Sequence, residues 1–327
     1  MKGFKNLINI KKIGWVMAFL LATVTQAIAA EKLRVGVSVP AADHGWTAGL
    51  LWWANKSAEE LGAQYRDAEF FVVAANSGTK QVADVEDLMV KGINALVILP
   101  HNPATLQRVI SEAYESGIYT VVVDRELETP TQHVFLAGDN AGMGEAAAKY
   151  MAEALKGKGN IVVLEGMPIP INDQRVDAFE AEMAKHKRIN ILDSQPADWN
   201  PQKALSVMEN MLRKHQKIDA VWAGDDDMLK AAMKAIEESG RTDIHLVVGG
   251  GGSKEVIKRV KNGDPIVRAT VTYPPSMVAS GIALAVHGAR GEKLGNMYHG
   301  VPSRVVLAAD LITAENAEAF YQPAAAY

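Results

Sequence analysis

The chain has 327 residues, 48% of them hydrophobic, a formal net charge of −4 and no cysteine. A length of this order is more comfortable as two domains than as one, and a chain without cysteine can form no disulfide, thiolate site or cysteine-linked lipid anchor. The acidic balance argues against nucleic acid as a partner: there is no basic stripe, and the short run "KHKR" at 185–188 reads as a solvated helix end.

Residues 1–30 stand apart from the rest. Lys2, Lys5, Lys11 and Lys12 precede the uncharged run "IGWVMAFLLATV", and "AIAA" puts Ala27 and Ala29 at a cleavage position. This is the pattern of a signal peptide, with an apolar run too short to span a bilayer comfortably. Loss of its four lysines would take the net charge from −4 to −8. The expected product is a soluble protein of the periplasm.

The first strand, "LRVGVSV" (33–39), leads into "AADHGWTAG", which carries Asp43, His44 and Trp46 where a short polar turn would do. After "EFFVVAA", the stretch "TKQVADVEDLMVKG" reads as a helix capped by Ser77 or Thr79, with Val82, Val85, Leu88 and Met89 on one face and Gly92 at its end. "ALVILP" and "YTVVVD" follow, the second running straight into Asp124-Arg125. "HVFLAG" precedes Gly138, Gly142 and Gly144, whose spacing fits no nucleotide motif and is explained by a tight crossover.

"NIVVLEG" opens onto a segment ending at Arg175, and "INILDSQ" onto Asp198-Trp199. In "NPQKALSVMENMLRKH", Asn200 and Pro201 form the cap and first turn of a helix, with Leu205, Met208 and Leu212 along one stripe. "AVWAG" ends in Asp225-Asp226-Asp227, where Asp226 or Asp227 is the simplest N-cap or first-turn acid and Asp225 the better ligand contact. "HLVVGG" runs into four glycines, 249–252, that match neither a dinucleotide fingerprint nor a P-loop. "VRATVTY" reaches Tyr273-Pro274-Pro275, and "SRVVLA" is the last strand candidate.

Strands alternating with helices define an α/β fold whose parallel sheets are covered on both faces. Ligands in such folds sit beyond the carboxyl ends of the strands, where these polar and aromatic residues lie. An adjacent carboxylate and guanidinium, Asp124 and Arg125, suit vicinal hydroxyls that both donate and accept, although a plain surface ion pair is the competing account. Trp46 and Trp199 offer aromatic faces for the C–H side of a sugar, unless each is simply a core residue. Asp43, Asp124 and Asp225 against Arg125 and Arg175 point to a neutral, polyhydroxylated ligand. Nucleophile and metalloprotease motifs are absent, His44 and His101 alone do not make a metal site, and neither metal nor cofactor is expected.

Over essentially the whole chain after the leader, the sequence resembles the periplasmic sugar-binding proteins of ABC transporters, the type I, ribose-binding-protein-like group. The resemblance is closest in "SQPADWNPQKALSVMENMLRKHQKIDAVWAGDDDMLKAAMKAIEESG". It implies two similar lobes, 31–137 plus 274–302 and 138–273 plus 303–327, joined by three crossovers near Gly138, Tyr273 and Pro302. It also implies ligand contacts from Asp43, His44, Trp46, Asp124 and Arg125 in the first lobe, from Arg175, Trp199 and Asp225 in the second, and from Tyr273 at the hinge. Where many relatives have Gly-Phe-Asp this chain has Gly249-Gly250-Gly251, leaving room for Tyr273, His44 or a ligand of another shape.

The implied function is capture of a neutral monosaccharide or sugar alcohol by hinge closure and delivery to an ABC-type permease. The protein would act as a monomer without catalysing a reaction, with a chemoreceptor as a further candidate partner. A repressor of the same fold would need a DNA-binding head where the leader stands. A sugar-active exported enzyme and a periplasmic receptor for a furanosyl signal are the remaining alternatives.

Overall fold

The computed structural model describes residues 32–292 and 300–327. The signal peptide expected at 1–30 lies outside the described residues.

Two six-stranded sheets organise the chain. The first contains β1 (Leu33–Pro40), β2 (Ala68–Ala75), β3 (Ala95–Ile98), β4 (Tyr119–Val123), β5 (Val134–Gly138) and β11 (Arg304–Leu307), in the order β11-β5-β4-β3-β1-β2. The second contains β6 (Lys158–Glu165), β7 (Arg188–Pro196), β8 (Ala220–Ala223), β9 (Leu246–Gly251), β10 (Val267–Thr272) and β12 (Leu311–Ile312), in the order β12-β10-β9-β8-β6-β7. Among the described residues only the β10–β12 ladder is antiparallel. Each strand-like stretch of the sequence is a strand. The one missed, β12, has two residues, too few to display a period.

Helices α1 (Gly45–Gln64), α2 (Gly78–Val90), α3 (Pro103–Glu115) and α9 (Met277–Ala289) serve the first sheet. Helices α4 (Asn140–Ala154), α5 (Pro170–Met183), α6 (Pro201–Lys214), α7 (Asp226–Ser239) and α8 (Lys254–Lys261) serve the second, followed by the short α10 (Ala317–Phe320). Cover on both faces is why central strands such as β3, β5 and β8 are buried throughout and read as unbroken apolar runs. Ser77 caps α2 by accepting from Lys80 N–H, and Asn200 caps α6 by accepting from Lys203 N–H.

The chain passes between the sheets after β5, after β10 and after β11. The third passage is not near Pro302. Arg304–Leu307 pairs in parallel with Phe135–Gly138, so this segment completes the first sheet and the crossing falls at residues 308–310. Among the described residues no helix is long and apolar enough to cross a membrane.

Candidate functional site

The carboxyl ends of both sheets converge on one cavity. From the first lobe, Asp124 follows β4 in a left-handed backbone conformation, φ 66°, a strained state that aspartate tolerates better than most residues. Its Oδ1 accepts a short hydrogen bond from the Tyr273 hydroxyl at the second crossover. Burial, followed by the nearby Asp124 charge, raises the Tyr273 pKa, so the phenol remains a donor. Gly138 makes this contact possible, because a Cβ there would stand 2.4 Å from the Tyr273 ring.

Arg125 is held by the carbonyls of His101 at 2.6 Å and Pro100 at 3.3 Å, with its Nε 3.8 Å from Asp124 Oδ2. That Nε–H is buried and has no hydrogen-bond partner. Trp46, on the first turn of α1, donates its indole N–H to the Tyr273 carbonyl at 2.8 Å and is buried. It therefore braces the crossover as well as lining the cavity.

From the second lobe, Arg175 on α5 donates Nε–H to Asn140 at 2.8 Å and Nη1–H to the Gly224 carbonyl at 3.5 Å. Its guanidinium lies 4.1 Å from the Tyr273 ring centroid and 5.6 Å from that of Trp199, within cation–π range. Trp199 sits flat on Gly166, where a Cβ would approach its indole to 2.1 Å. Asp198 and Trp199 both have positive φ, 59° and 54°, and the buried Trp199 Nε1–H is unpartnered.

The three consecutive aspartates divide their work, with Asp226 and Asp227 as acids of the first turn of α7 and Asp225 at the cavity. Asp225, not Asp226 or Asp227, is the N-cap, its Oδ1 accepting from Met228 N–H at 2.7 Å while the residue also lines the cavity. Burial first, then the Asp227 charge, raises its pKa well above the usual carboxylate value, against the pull of Met228 N–H and Arg175. Asp227 pairs with Lys230 at 2.7 Å and presses on Gly45 at the electropositive start of α1 in the other lobe.

Asp226 accepts from Ser253 N–H at 2.6 Å and Thr270 Oγ1–H at 2.8 Å, fastening the ends of β9 and β10 to α7. Burial lifts its pKa to about 7 despite these bonds. A carboxyl that holds its proton in the folded state and loses it in the unfolded state makes stability fall as pH rises from about 4 to 7. The melting temperature of the protein should therefore decline across that window more steeply than that of Asp226→Asn. Parallel melting curves for the two proteins would contradict this assignment.

Asp43 is the one sequence candidate outside the inner cavity. Its Oδ1 accepts from Thr47 Oγ1–H at 2.8 Å and lies 2.6 Å from His44 Nδ1, while the side chain remains largely exposed on the outer groove. The chain turns into α1 directly after His44, so this carboxylate organises the helix start and orients the imidazole. His44 does line the cavity.

Met143, Ile171, Asn140 and Tyr327 are further residues at the site that the sequence reading did not single out. Tyr273 and His44 line the same cavity as Gly250 and Gly251, but the side chains that stand against these glycines are others. A Cβ at Gly250 would meet Met143 Cε at 2.0 Å, and one at Gly251 would meet the Tyr327 hydroxyl oxygen at 2.5 Å. The glycines after β5 likewise have packing roles beyond a tight crossover. The inner cavity has a volume of about 40 Å³ and shares His44, Asp124, Arg125, Ile171 and Trp199 with an outer groove of about 1050 Å³. The inner space holds only a few water molecules. Among the described residues, no three His, Asp or Glu side chains are grouped to hold a metal ion.

Two α/β lobes, three crossovers and a polar, aromatic-lined cleft between them define a small-molecule receptor of the two-lobed kind. The chain belongs to the periplasmic binding protein domain family, which it matches over residues 35–293. It is 32% identical over 249 residues to the ribose import binding protein of Bacillus subtilis (strain 168), covering 76% of this chain and 78% of that protein. It is 27% identical over 282 residues to the xylitol-binding protein of Mycolicibacterium smegmatis, 79% of this chain and 78% of the relative. Among solved structures, an ABC transporter solute binding protein from Mycobacterium smegmatis with bound glycerol superposes with a TM-score of 0.78 at 30% identity, covering 90% of this chain and 98% of that one.

Proposed function

We propose that this protein is an exported receptor that captures a neutral monosaccharide or sugar alcohol between its lobes and presents the closed form to an ABC-type permease. One observation carries the reading. Asp124 and Arg125 from one lobe and Asp225 and Trp199 from the other line the same cavity, and Arg125 Nε–H and Trp199 Nε1–H are buried donors without a partner. Buried polar groups are ordinarily hydrogen-bonded, and a molecule whose every hydroxyl both donates and accepts satisfies both kinds at once.

Neutrality follows from how the two cations are engaged. Arg125 is already held by two carbonyls and Asp124, and Arg175 by Asn140, Gly224 and two aromatic faces. Arg175 has its Nε–H and Nη1–H engaged, and the Arg125 Nε–H lies 3.8 Å from the Asp124 carboxylate, so an anion beside it would meet a like charge. Ribose and xylitol, in the names of two relatives, and the glycerol bound in a third protein are neutral polyols. The small inner cavity requires the lobes to part for entry and to close over the ligand, a hinge motion at the three crossovers. The leader at 1–30 supplies export to the periplasm; the protein works as a monomer, with a chemoreceptor as a second reader of the closed form.

A ligand bound only by the folded state must raise the melting temperature, by an amount that grows with its concentration over Kd. In a screen of neutral pentoses, hexoses and sugar alcohols alongside ribose 5-phosphate, at least one neutral compound should shift the transition by several degrees and the phosphate should not. A flat response to every neutral compound, or a shift with the phosphate alone, would overturn the reading. Product formation from a bound sugar would favour the enzyme alternative.

A further inference from the structure

Tyr327 lies far along the chain from every strand end that builds the cleft, yet it lines the inner cavity and is 6% exposed. Two glycines from opposite lobes admit it. In α1, a Cβ at Gly49 would stand 2.6 Å from Tyr327 Cβ. At the end of β9, Gly251 has φ 105° and a Cβ there would stand 2.5 Å from the phenolic oxygen. The approach to this tyrosine is tied down by Lys254, whose ammonium donates to the Ala325 carbonyl at 2.6 Å.

The phenolic hydroxyl is buried and makes no hydrogen bond. Burial first, then the charges of Asp225, Asp226 and Asp227, push its pKa well above the ordinary phenol value. The group is thus a neutral O–H whose proton has no acceptor within the protein. Leaving such a group buried and unpaired is costly, and it belongs to a residue that lines the same cavity as Arg125 and Trp199, each of which also carries an unpartnered buried donor.

We propose that Tyr327 is a ligand-contacting, specificity-determining residue: its O–H supplies the polar contact that the bare glycine end of β9 cannot, and selects ligands with a hydroxyl at the position it faces. This rests on the polyol-receptor reading above. A side chain reaching the cavity from residue 327 is set by the path of the segment after α10, so the contact is independent of the strand-end residues around it.

The test is calorimetric titration of the protein and its Tyr327→Phe and Tyr327→Ala variants with ribose, xylose, xylitol, glycerol and the tightest neutral compound from the melting screen, together with deoxy analogues of the best binder. Tyr327→Phe should weaken that binder about tenfold while leaving the ligand-free melting temperature unchanged or higher. One deoxy analogue should lose affinity for the parent but bind the Phe variant no worse than the full ligand does. Tyr327→Ala should weaken binding further. Affinity within twofold of the parent for Tyr327→Phe overturns the proposal while the receptor reading stands. Tighter binding by Tyr327→Ala overturns it too, since the side chain would then compete with the ligand. If the parent binds none of the neutral compounds, the receptor reading fails and this proposal falls with it.

Discussion

Replacing Arg175 with alanine should weaken binding of the best neutral sugar or polyol by about thirtyfold or more, because truncating one member of a buried, hydrogen-bonded charged set costs about 2–5 kcal/mol. Arg175 is 5% exposed, spans Asn140 and the Gly224 carbonyl, and lies against the Tyr273 and Trp199 rings. Its removal leaves Asn140 Oδ1 without that donor and takes a cation from beside Asp225, whose ionised form it favours. Arg175→Lys should not restore affinity, since a single ammonium cannot reach two acceptors while lying flat against aromatic rings. Titration of both variants, with circular dichroism to confirm the fold, decides the matter. A Kd within threefold of the parent for Arg175→Ala would show that this residue merely packs.

The second large effect is steric and lies behind the same arginine. Gly144 in α4 faces the Arg175 backbone, and a Cβ there would fall 2.0 Å from the Arg175 carbonyl oxygen and 3.1 Å from Phe179 N. No rotamer change relieves a clash with backbone, so Gly144→Ala must push α5 away from α4. Overpacking of this kind costs about 1–3 kcal/mol, and the upper end is expected, roughly a 5 °C fall in melting temperature for a chain of this size. Ligand affinity should fall with it, because Arg175 rides on the displaced helix. Gly62→Ala in α1 is the contrasting substitution. Its Cβ would meet nothing closer than 3.7 Å, and replacing glycine inside a helix should raise stability slightly. If the two alanines behave alike in thermal denaturation, the close approach of α4 and α5 is not what Gly144 provides.

The lobes and most of the cleft were legible because both rest on local patterns. Apolar runs such as "ALVILP" and "AVWAG" announce buried parallel strands, and in such sheets the residues after each strand face the ligand side. That rule alone brings Asp124, Arg125, Trp199 and Asp225 to one cavity. It fails for Asp43, since a residue after a strand can equally be absorbed into the first turn of the next helix. Among Asp225–Asp227 it separates the cavity residue, Asp225, from the first-turn acids, but does not show that Asp225 is also the cap, because all three carboxylates are eligible.

Residues brought in by distant segments left weaker traces. Asn140 and Met143 sit in a glycine-bearing stretch whose spacing suggested only a crossover, although Asn140 follows a strand end like the other site residues. Nothing in the local sequence around Tyr327 marks it, and the three glycines at 249–251 signalled space without saying what fills it. Gly138, Gly144 and Gly166 are similar: each records a close approach whose partner, Tyr273, Arg175 or Trp199, is far away in sequence.

The place of β11 bears on when the molecule can assemble. β5 is buried along its whole length, yet its outer hydrogen-bonding edge is satisfied only by Arg304–Leu307, which follow almost the entire second lobe. An emerging chain therefore carries an incomplete first sheet with an open, apolar edge until its last portion is available. Such an edge invites pairing with other chains, and closing it across so long a sequence separation is intrinsically slow. Until that last portion arrives, the first lobe is held open, and a partly made chain is more exposed to aggregation than the finished one.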